Sequence, residues 1–559
     1  MYVDAYKDKD QIHIIERDKS GRKLKRDYDI KHKFYFEDPK GSYESITGVR
    51  CSKFETTKNH EYIAKLREIE RSQLKHFEHG YNPIFRCLEE NYKNSPSPNL
   101  NIAFLDIETD FHPIKGFADP IDPFNRITAI TVYRKWDDIL ATVVLKPDVP
   151  ETDPNFLTFD EAEEITSKFE NCTLCNDEEM LFELFFQLID DADLLSGWNS
   201  LGYDIPYLIN RCARILGLEQ TKRFNAFDVL PKVKKYIKYG KERKSYDLVG
   251  RVHLDYLDLY QKHSQSEMSS YRLDYIGFVE VGEHKVQYDG TLDQLYKQDF
   301  EKFIEYNRQD VALLNKIDNK KKYIELANQM AHTNCVLIPT TMGSVALVDQ
   351  AIISEAHSLN MVAPSRKDRF NTEEDIEETE EESLFSGAAV GAHVAEPKVG
   401  LHSEIGCCDI NSLYPSTIRA LNMGPETIIG QFRIPHTEKF ITERIKSGMS
   451  VPEAWHNIFC LLEFDMVHNK TDDELTVDFE FGDSITMSAK EWYNLIFEGG
   501  YILSANGTIF SKEKKGIIPS LLERWYSERK TMKGYSESYA EMMEQGLKID
   551  DDLYKLLTE

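Results

Sequence analysis

Long apolar runs are missing from this sequence: none reaches the roughly 18 residues that a membrane-crossing helix needs. The opening Met-Tyr-Val-Asp-Ala-Tyr-Lys also lacks the apolar centre of a secretion signal. We therefore expect a protein that is neither secreted nor membrane-spanning. Cysteine is scarce and unpatterned, with nine residues, a lone Cys-x-x-Cys at Cys172 and Cys175, and an adjacent pair at Cys407 and Cys408. A structural zinc site needs about four ligands, and no second Cys or His pair stands at matching spacing. Reduced thiols in a cytoplasmic setting are expected, with Cys172 and Cys175 packing as small apolar side chains. Positive charge is short as well: 68 Lys and Arg face 96 Asp and Glu, a net charge of −28 at pH 7. Such an excess repels a phosphate backbone, so any nucleic-acid contact has to be local, and a basic partner chain becomes a candidate. No internal repeat is present.

What the chain does have is the composition of a folded protein, 41% hydrophobic and 29% charged. Its 559 residues far exceed the roughly 150 usual for one domain, so three or more folding units are expected. Residues 1–99 mix alternating stretches with a charged helical stretch near 61–78, an α+β pattern that the turn-rich Asn94-Ser95-Pro96-Ser97-Pro98 closes. From 100 to 320 the pattern predicts strands over Ile102–Ile107, Ile127–Tyr133 and Leu194–Trp198. It predicts helices over Glu178–Ile189 and 299–318, an α/β layer arrangement. Between them Lys232–Lys244 carries seven Lys or Arg residues interleaved with Tyr236 and Tyr239, which suits either a nucleic-acid contact or a solvated cationic hairpin. Eight acids in ten residues over 373–382 read as a solvated linker, followed by a Gly-rich stretch at 386–392. A strand running into a helix is expected around Asp409, and a helix over 518–545.

The chemistry lies in separated carboxylates. On a strand, Asp106 and Glu108 share one face while Leu105 and Ile107 share the other. Paired acids raise each other's pKa unless a cation neutralises them, and hard divalent ions take such oxygen ligands. Asp204, in Gly-Tyr-Asp-Ile-Pro-Tyr, sits among aromatic and apolar neighbours, where a lone carboxylate is costly. Tyr306 and Asp310 are four apart and fall on one helix face. Each pattern is weak alone; in this order they read as a two-metal nuclease. One ion would generate hydroxide and the other stabilise the leaving 3′ oxygen, with Asp106 bridging both and Tyr306 orienting the water.

These segments resemble the 3′→5′ proofreading exonuclease of the B-family DNA polymerases, in the four-carboxylate class with tyrosine in its third motif. Asp409-Ile410-Asn411-Ser412-Leu413-Tyr414-Pro415-Ser416 resembles the first polymerase motif of the same family. Domain order and spacing are closest to the T-even-type phage branch. The resemblance implies that Asp409 and the Ile410 carbonyl bind metal, that Ser412 and Leu413 hold the triphosphate, and that Tyr414 packs under the sugar and excludes a 2′-hydroxyl. Arg529 and Lys533 would grip the triphosphate from a fingers helix, and residues 390–397 would touch template. Two Mg²⁺ or Mn²⁺ ions per site are implied, together with primer-template DNA, a single-stranded 3′ end and a dNTP.

The implied fold is a multidomain α/β and α+β chain with four parts. They are an N-terminal α+β domain over 1–99 completed by about 321–372, an RNase H-like exonuclease over 100–320, an incomplete palm over 373–515 and incomplete fingers over 516–559. Because the second polymerase acid, the catalytic fingers lysine and the thumb have no counterpart, a C-terminal polypeptide is expected to complete a naturally split polymerase in the cytoplasm of a phage-infected host. That partner would also carry the contact to a sliding clamp. Two rivals remain: a noncatalytic RNA-binding regulator using Arg22-Lys23-Leu24-Lys25-Arg26, and a stand-alone 3′→5′ repair nuclease.

Overall fold

The structure is a computed structural model that describes residues 1–544 apart from 113, 118, 239, 265, 366–396, 457 and 481. The acidic run 373–382, the Gly-rich stretch 386–392, all but the last residue of 390–397, and Tyr239 therefore lie outside the described residues. The chain forms two compact units, one of Met1–Lys33, Glu55–Leu66 and Tyr81–Ala351, the other of Phe34–Phe54, Arg67–Gly80 and Ile352–Glu559. Among the described residues no helix is long and apolar enough to cross a membrane.

The first unit opens with an antiparallel sheet of β1 (Tyr2–Asp8), β2 (Gln11–Arg17) and β3 (Lys23–Asp29). Its main sheet contains β4 (Ile102–Thr109), β5 (Ile127–Arg134), β6 (Ile139–Leu145), β7 (Cys172–Cys175), β8 (Leu194–Gly197) and, after the hairpin of β9 (Lys232–Lys238) and β10 (Lys241–Asp247), β11 (Val252–Asp255). The strand order is β7-β6-β5-β4-β8-β11. β5 runs antiparallel to both β4 and β6, while the other neighbours are parallel. The helices that position the site are α1 (Glu178–Ile189), α2 (Asp204–Ile215) and α3 (Phe300–Lys321).

Strand alternation divides the core. On β4, Ala103, Leu105 and Ile107 join one apolar cluster with Phe182 and Phe185 of α1 and with Ile205 and Leu208 of α2. Ile102 and Phe104 point the other way, into a cluster with Val311, Leu314 and Ile317 of α3. The second face continues past Phe104 to Asp106 and Glu108. Since Ile102 and Phe104 meet the C-terminal half of α3, those acids meet the turns before it, where Tyr306, Asn307 and Asp310 stand. Apolar packing along strand and helix thus brings the polar residues together.

The small N-terminal sheet is tied to this sheet by a buried charge network. Arg17 is 2% exposed and Asp193 fully buried. The Arg17 Nε donates to Asp193 Oδ2 at 2.8 Å, and its Nη2 donates to Asp193 Oδ1 at 3.1 Å and Asp191 Oδ1 at 2.8 Å. Asp193 Oδ2 also accepts the Asn101 N–H at 2.9 Å.

In the second unit, Ile485–Ser488, Glu474–Phe479, Ile428–Phe432, Thr508–Ser511 and Tyr501–Leu503 form an antiparallel sheet in that order. Trp492, Phe432, Val477 and Ile509 fill its core, and the Trp492 Nε1–H donates to the Leu475 carbonyl at 2.9 Å. The charged helical stretch expected near 61–78 is a helix over Asn59–Arg71 followed by a short strand at His76–Phe77.

Replacing Arg17 by Met leaves buried Asp193 with the Asn101 N–H and with Lys23, whose Nζ is 3.5 Å away. Breaking a buried pair costs about 3–5 kcal/mol, and the remaining lysine puts Arg17→Met near the lower end. Arg26→Met, at a 58%-exposed guanidinium on Glu16, should be the milder change, because its charge is already solvated. Urea unfolding midpoints of the two variants compare the two losses directly.

Candidate nuclease and polymerase sites

Asp106 and Glu108 of β4 and Asp310 of α3 bring carboxylate oxygens within 4.8 Å of one another. Glu108 is 9% exposed, Asp204 4% and Asp310 2%. Asp204 begins α2 and stands beside this triad: its Oδ1 accepts the N–H of Ile107, the residue between the two strand acids, at 3.2 Å. The loop that delivers Asp204 leaves β8 at Gly197, where a Cβ would lie 2.7 Å from the Leu105 carbonyl oxygen. Asp255 at the end of β11 shapes that loop by accepting the N–H groups of Asn199 and Leu201, each at 3.0 Å.

Among the described residues one cation faces these acids, and sequence patterning did not single it out. Lys285 Nζ lies 2.5 Å from Asp310 Oδ2 and donates to the Tyr306 hydroxyl at 3.0 Å. Its segment has no helical or strand period. It is anchored by its own N–H to Asp274 Oδ1 at 2.9 Å, which no spacing in the sequence would reveal. The Tyr306 ring also meets Tyr288 edge-on at 5.3 Å. Asn307, next to Tyr306, donates from Nδ2 to Asp106 Oδ2 at 2.8 Å.

The electrostatics follow from burial and like charge. Burial and then the charges of Glu108, Asp204 and Asp310 hold the Asp106 pKa well above the usual carboxylate range, with Lys285 opposing them. Burial and then Asp310 push Glu108 up to about 8. Burial pushes Asp204 up to about 7, and burial against the pull of Lys285 leaves Asp310 at about 6. Burial disfavours the Lys285 ammonium, yet Asp310, Tyr306 and Asp106 more than offset it and raise its pKa. Asp310 Oδ1 is buried without a hydrogen-bond partner among the described residues. Four carboxylates against one ammonium, all-oxygen donors and an orphaned oxygen fit a hard divalent cation.

The polymerase-motif residues lie in the second unit. The expected strand at Asp409 is not formed: Asp409, Ile410 and Asn411 are exposed, irregular backbone. A strand needs hydrogen-bonded neighbours, and none pairs with this segment among the described residues. The helix part of the expectation stands, with Leu413–Leu421 helical after Ser412, whose φ is 53°. Leu413 and Tyr414 open this helix and are 48% and 66% exposed. Arg529 and Lys533 are exposed on the helix Ile517–Glu544, and Lys533 is 3.6 Å from Glu537. The two helices pack together, with Arg419 over the Tyr526 ring at 4.9 Å and 3.6 Å from Glu523. Asn422 locks their ends: its Nδ2 donates to the carbonyls of Ser511 and Lys514, both at 2.8 Å, and its Oδ1 accepts the Gly516 N–H at 2.9 Å.

Two basic segments differ in what their cations touch. In Arg22–Arg26 all four cations have intramolecular partners: Arg22 with Asp18, Lys23 with the Ala192 carbonyl, Lys25 with the Ala226 carbonyl and Arg26 with Glu16. On the β9–β10 hairpin, Lys234 pairs with Asp247 and Lys235 with Glu242, whereas Arg243 and Lys244 are exposed beside exposed Val233 and Ile237.

Comparison with known proteins gives a consistent result. Residues 44–276 match the family description "DNA polymerase family B, exonuclease domain", and residues 340–555 match "DNA polymerase family B". The DNA-directed DNA polymerase of Escherichia phage RB69 is 26% identical over 549 residues, covering 93% of this chain and 52% of the relative. That of Enterobacteria phage T4 is 26% identical over 452 residues, 77% of this chain and 48% of the relative. The DNA polymerase delta catalytic subunit of Plasmodium falciparum is 27% identical over 365 residues, 61% and 30% of the two chains. The chain spans about half the length of the two phage relatives.

Raised carboxylate pKa values mean that the folded state binds extra protons. Their stabilising effect is full below the unfolded value near 4 and is lost as pH rises through about 6 for Asp310, 7 for Asp204 and 8 for Glu108. With a chelator present, the first unit's Tm should fall across that range, Asp106→Asn should make the fall shallower, and millimolar Mn²⁺ should reverse it at the alkaline end. Thermal scans at several pH values, with and without Mn²⁺, measure this; a flat profile insensitive to Mn²⁺ would rule out the metal-holding assignment.

Proposed function

Because the chain belongs to DNA polymerase family B, we propose that it carries the 3′→5′ proofreading exonuclease and half of the polymerase active site of a replicative DNA polymerase. The observation that carries the nuclease reading is the close carboxylate triad of Asp106, Glu108 and Asp310 with Asp204 beside it. The mixed strand order around β4 supports an RNase H-like layout of that domain. Asp106, Glu108, Asp204 and Asp310 would hold two Mg²⁺ or Mn²⁺ ions, which when bound activate a water and stabilise the leaving 3′ oxygen.

The chain's own groups do the rest. Lys285 has only donors, so the Tyr306 hydroxyl accepts from it and keeps its own proton to donate to the attacking water or a phosphate oxygen. Lys285 also balances one of the acids as the anionic phosphodiester arrives. The exposed cations and apolar side chains of the β9–β10 hairpin suit contact with a single-stranded end. The paired cations of Arg22–Arg26 disfavour the RNA-binding rival.

For synthesis, Asp409 and Ile410 would bind metal, Ser412 and Leu413 the triphosphate and Tyr414 the sugar of the dNTP, with Arg529 and Lys533 on the phosphates. Asp409 is exposed and belongs to none of the carboxylate clusters among the described residues. Phosphoryl transfer needs a second acid there; none of the described residues places one beside Asp409, and we propose that a further polypeptide supplies it and links the enzyme to its clamp. The four-part division into 1–99 with about 321–372, 100–320, 373–515 and 516–559 is retained as the functional layout. The setting is the cytoplasm of an infected host cell, and the DNA is a primer-template.

Primer degradation and extension with Mg²⁺, by this chain alone and with a candidate C-terminal polypeptide, test both halves. Degradation alone, with extension gained on mixing, is the expected outcome; extension by this chain alone would overturn the half-site assignment. Asp106→Ala should lower degradation on the order of 10³-fold or more. Tyr306→Phe should lower kcat by roughly 10²-fold while leaving KM for DNA unchanged; full activity in Tyr306→Phe would remove Tyr306 from the mechanism.

A further inference from the structure

We infer that Arg308, Thr142, Thr131 and Asn307 form a one-way hydrogen-bond chain that aims the Asp106 carboxylate, making them positioning residues for the nuclease; the inference rests on the nuclease reading above. Asp106, Thr131 and Thr142 are direct cross-strand partners on β4, β5 and β6, so one row of the sheet carries all three. Helix α3 lies over this row and contributes Asn307 and Arg308. Arg308 Nη1 donates to Thr142 Oγ1 at 3.1 Å, the two threonine hydroxyls are 2.9 Å apart, Thr131 Oγ1 donates to Asn307 Oδ1 at 2.5 Å, and Asn307 Nδ2 donates to Asp106 Oδ2 at 2.8 Å. Thr131, Thr142 and Asn307 are fully buried.

The end groups fix the polarity of the chain. A guanidinium has no acceptor, so Thr142 accepts from Arg308 and its own proton goes to Thr131. The Thr131 proton then goes to the Asn307 carbonyl, which forces the amide N–H₂ toward Asp106. An ionised carboxylate only accepts, so the chain ends there without an unmet group. Each link removes a rotamer or flip that would let the carboxylate turn, and outer partners of this kind orient metal ligands. Register makes the arrangement exacting: a one-residue slip of β5 would send Thr131 to the opposite face.

Buried threonines also satisfy polar needs without any role in metal binding, and the test separates the two roles. In the full chain, Thr131→Val keeps the side-chain shape but removes the donor, Thr131→Ser keeps the donor, and Arg308→Met, at a half-buried position, cuts the chain at its far end. Mn²⁺ binding is measured by calorimetry without DNA, beside kcat and KM for a single-stranded oligonucleotide. Thr131→Val should weaken Mn²⁺ binding about 10–100-fold and lower kcat at limiting Mn²⁺ with KM for DNA unchanged. Thr131→Ser should restore both, and Arg308→Met should fall between wild type and Thr131→Val. Mn²⁺ affinity within twofold of wild type in both Thr131→Val and Arg308→Met, with Asp106→Asn unable to bind, would overturn the chain while sparing the nuclease reading. Wild-type Mn²⁺ binding by Asp106→Asn would overturn both.

Discussion

Everything around the candidate nuclease site depends on an electrostatic conflict: four acids converge on a pocket that, among the described residues, offers them a single lysine. Like-charged carboxylates in such a place destabilise the fold when ionised, and one ammonium cannot neutralise them all. The conflict persists because the surrounding architecture leaves these side chains no alternative position. β4 is central in its sheet, α3 is clamped to it by Phe104, Val311, Leu314 and Ile317, and the loop before Asp204 is held by Asp255. The aromatic core beneath, with Phe182, Phe185 and Phe224, supplies the apolar burial that lets this region tolerate charge where hydrocarbon would be more stable.

The two sites differ in how far each is assembled. The four acids of the candidate nuclease site come from β4, α2 and α3 of one compact unit, where Asn307, Lys285 and the Ile107 N–H meet them. The polymerase-motif residues sit on exposed backbone at Asp409–Asn411 and on the surfaces of two helices. Asp409 stands in water, whereas the acids beside Asp310 are gathered in a largely desolvated cleft. Among the described residues the acidity behind the net charge of −28 has two meanings: carboxylates solvated at the surface, and a concentrated unbalanced charge at Asp106, Glu108 and Asp310.

Local periodicity made much of this legible in advance. The acids at Asp106 and Glu108 were readable because a two-residue spacing on an apolar strand leaves one geometric outcome, and Tyr306 with Asp310 because a four-residue spacing on a helix does the same. The boundaries of α1 and the extent of α3 followed from apolar patterning. Lys285 was not legible, since its position depends on a loop fixed by Asp274 rather than on any repeat. Thr131, Thr142 and Asn307 were hidden for another reason: they look like ordinary strand and helix residues until strand register sets them in line. The expected strand at Asp409 failed on the same point from the opposite side, because strand propensity forms no ladder without a neighbour. The basic run Arg22–Arg26 looked like a ligand surface, yet its cations are held by intramolecular carbonyls and carboxylates that lie up to about 200 residues away in sequence.

Asn422 gives the second unit a mechanical property. By joining the end of the helix Leu413–Leu421 to the backbone just ahead of the helix Ile517–Glu544, its amide acts as a rivet at the base of a long arm. Glu426 adds a second fastening by accepting the Ile517 N–H. A displacement midway along that arm, where Arg529 and Lys533 lie, cannot be absorbed by sliding at its root. It has to appear either as bending along the arm or as rotation of the short helix that bears Tyr414.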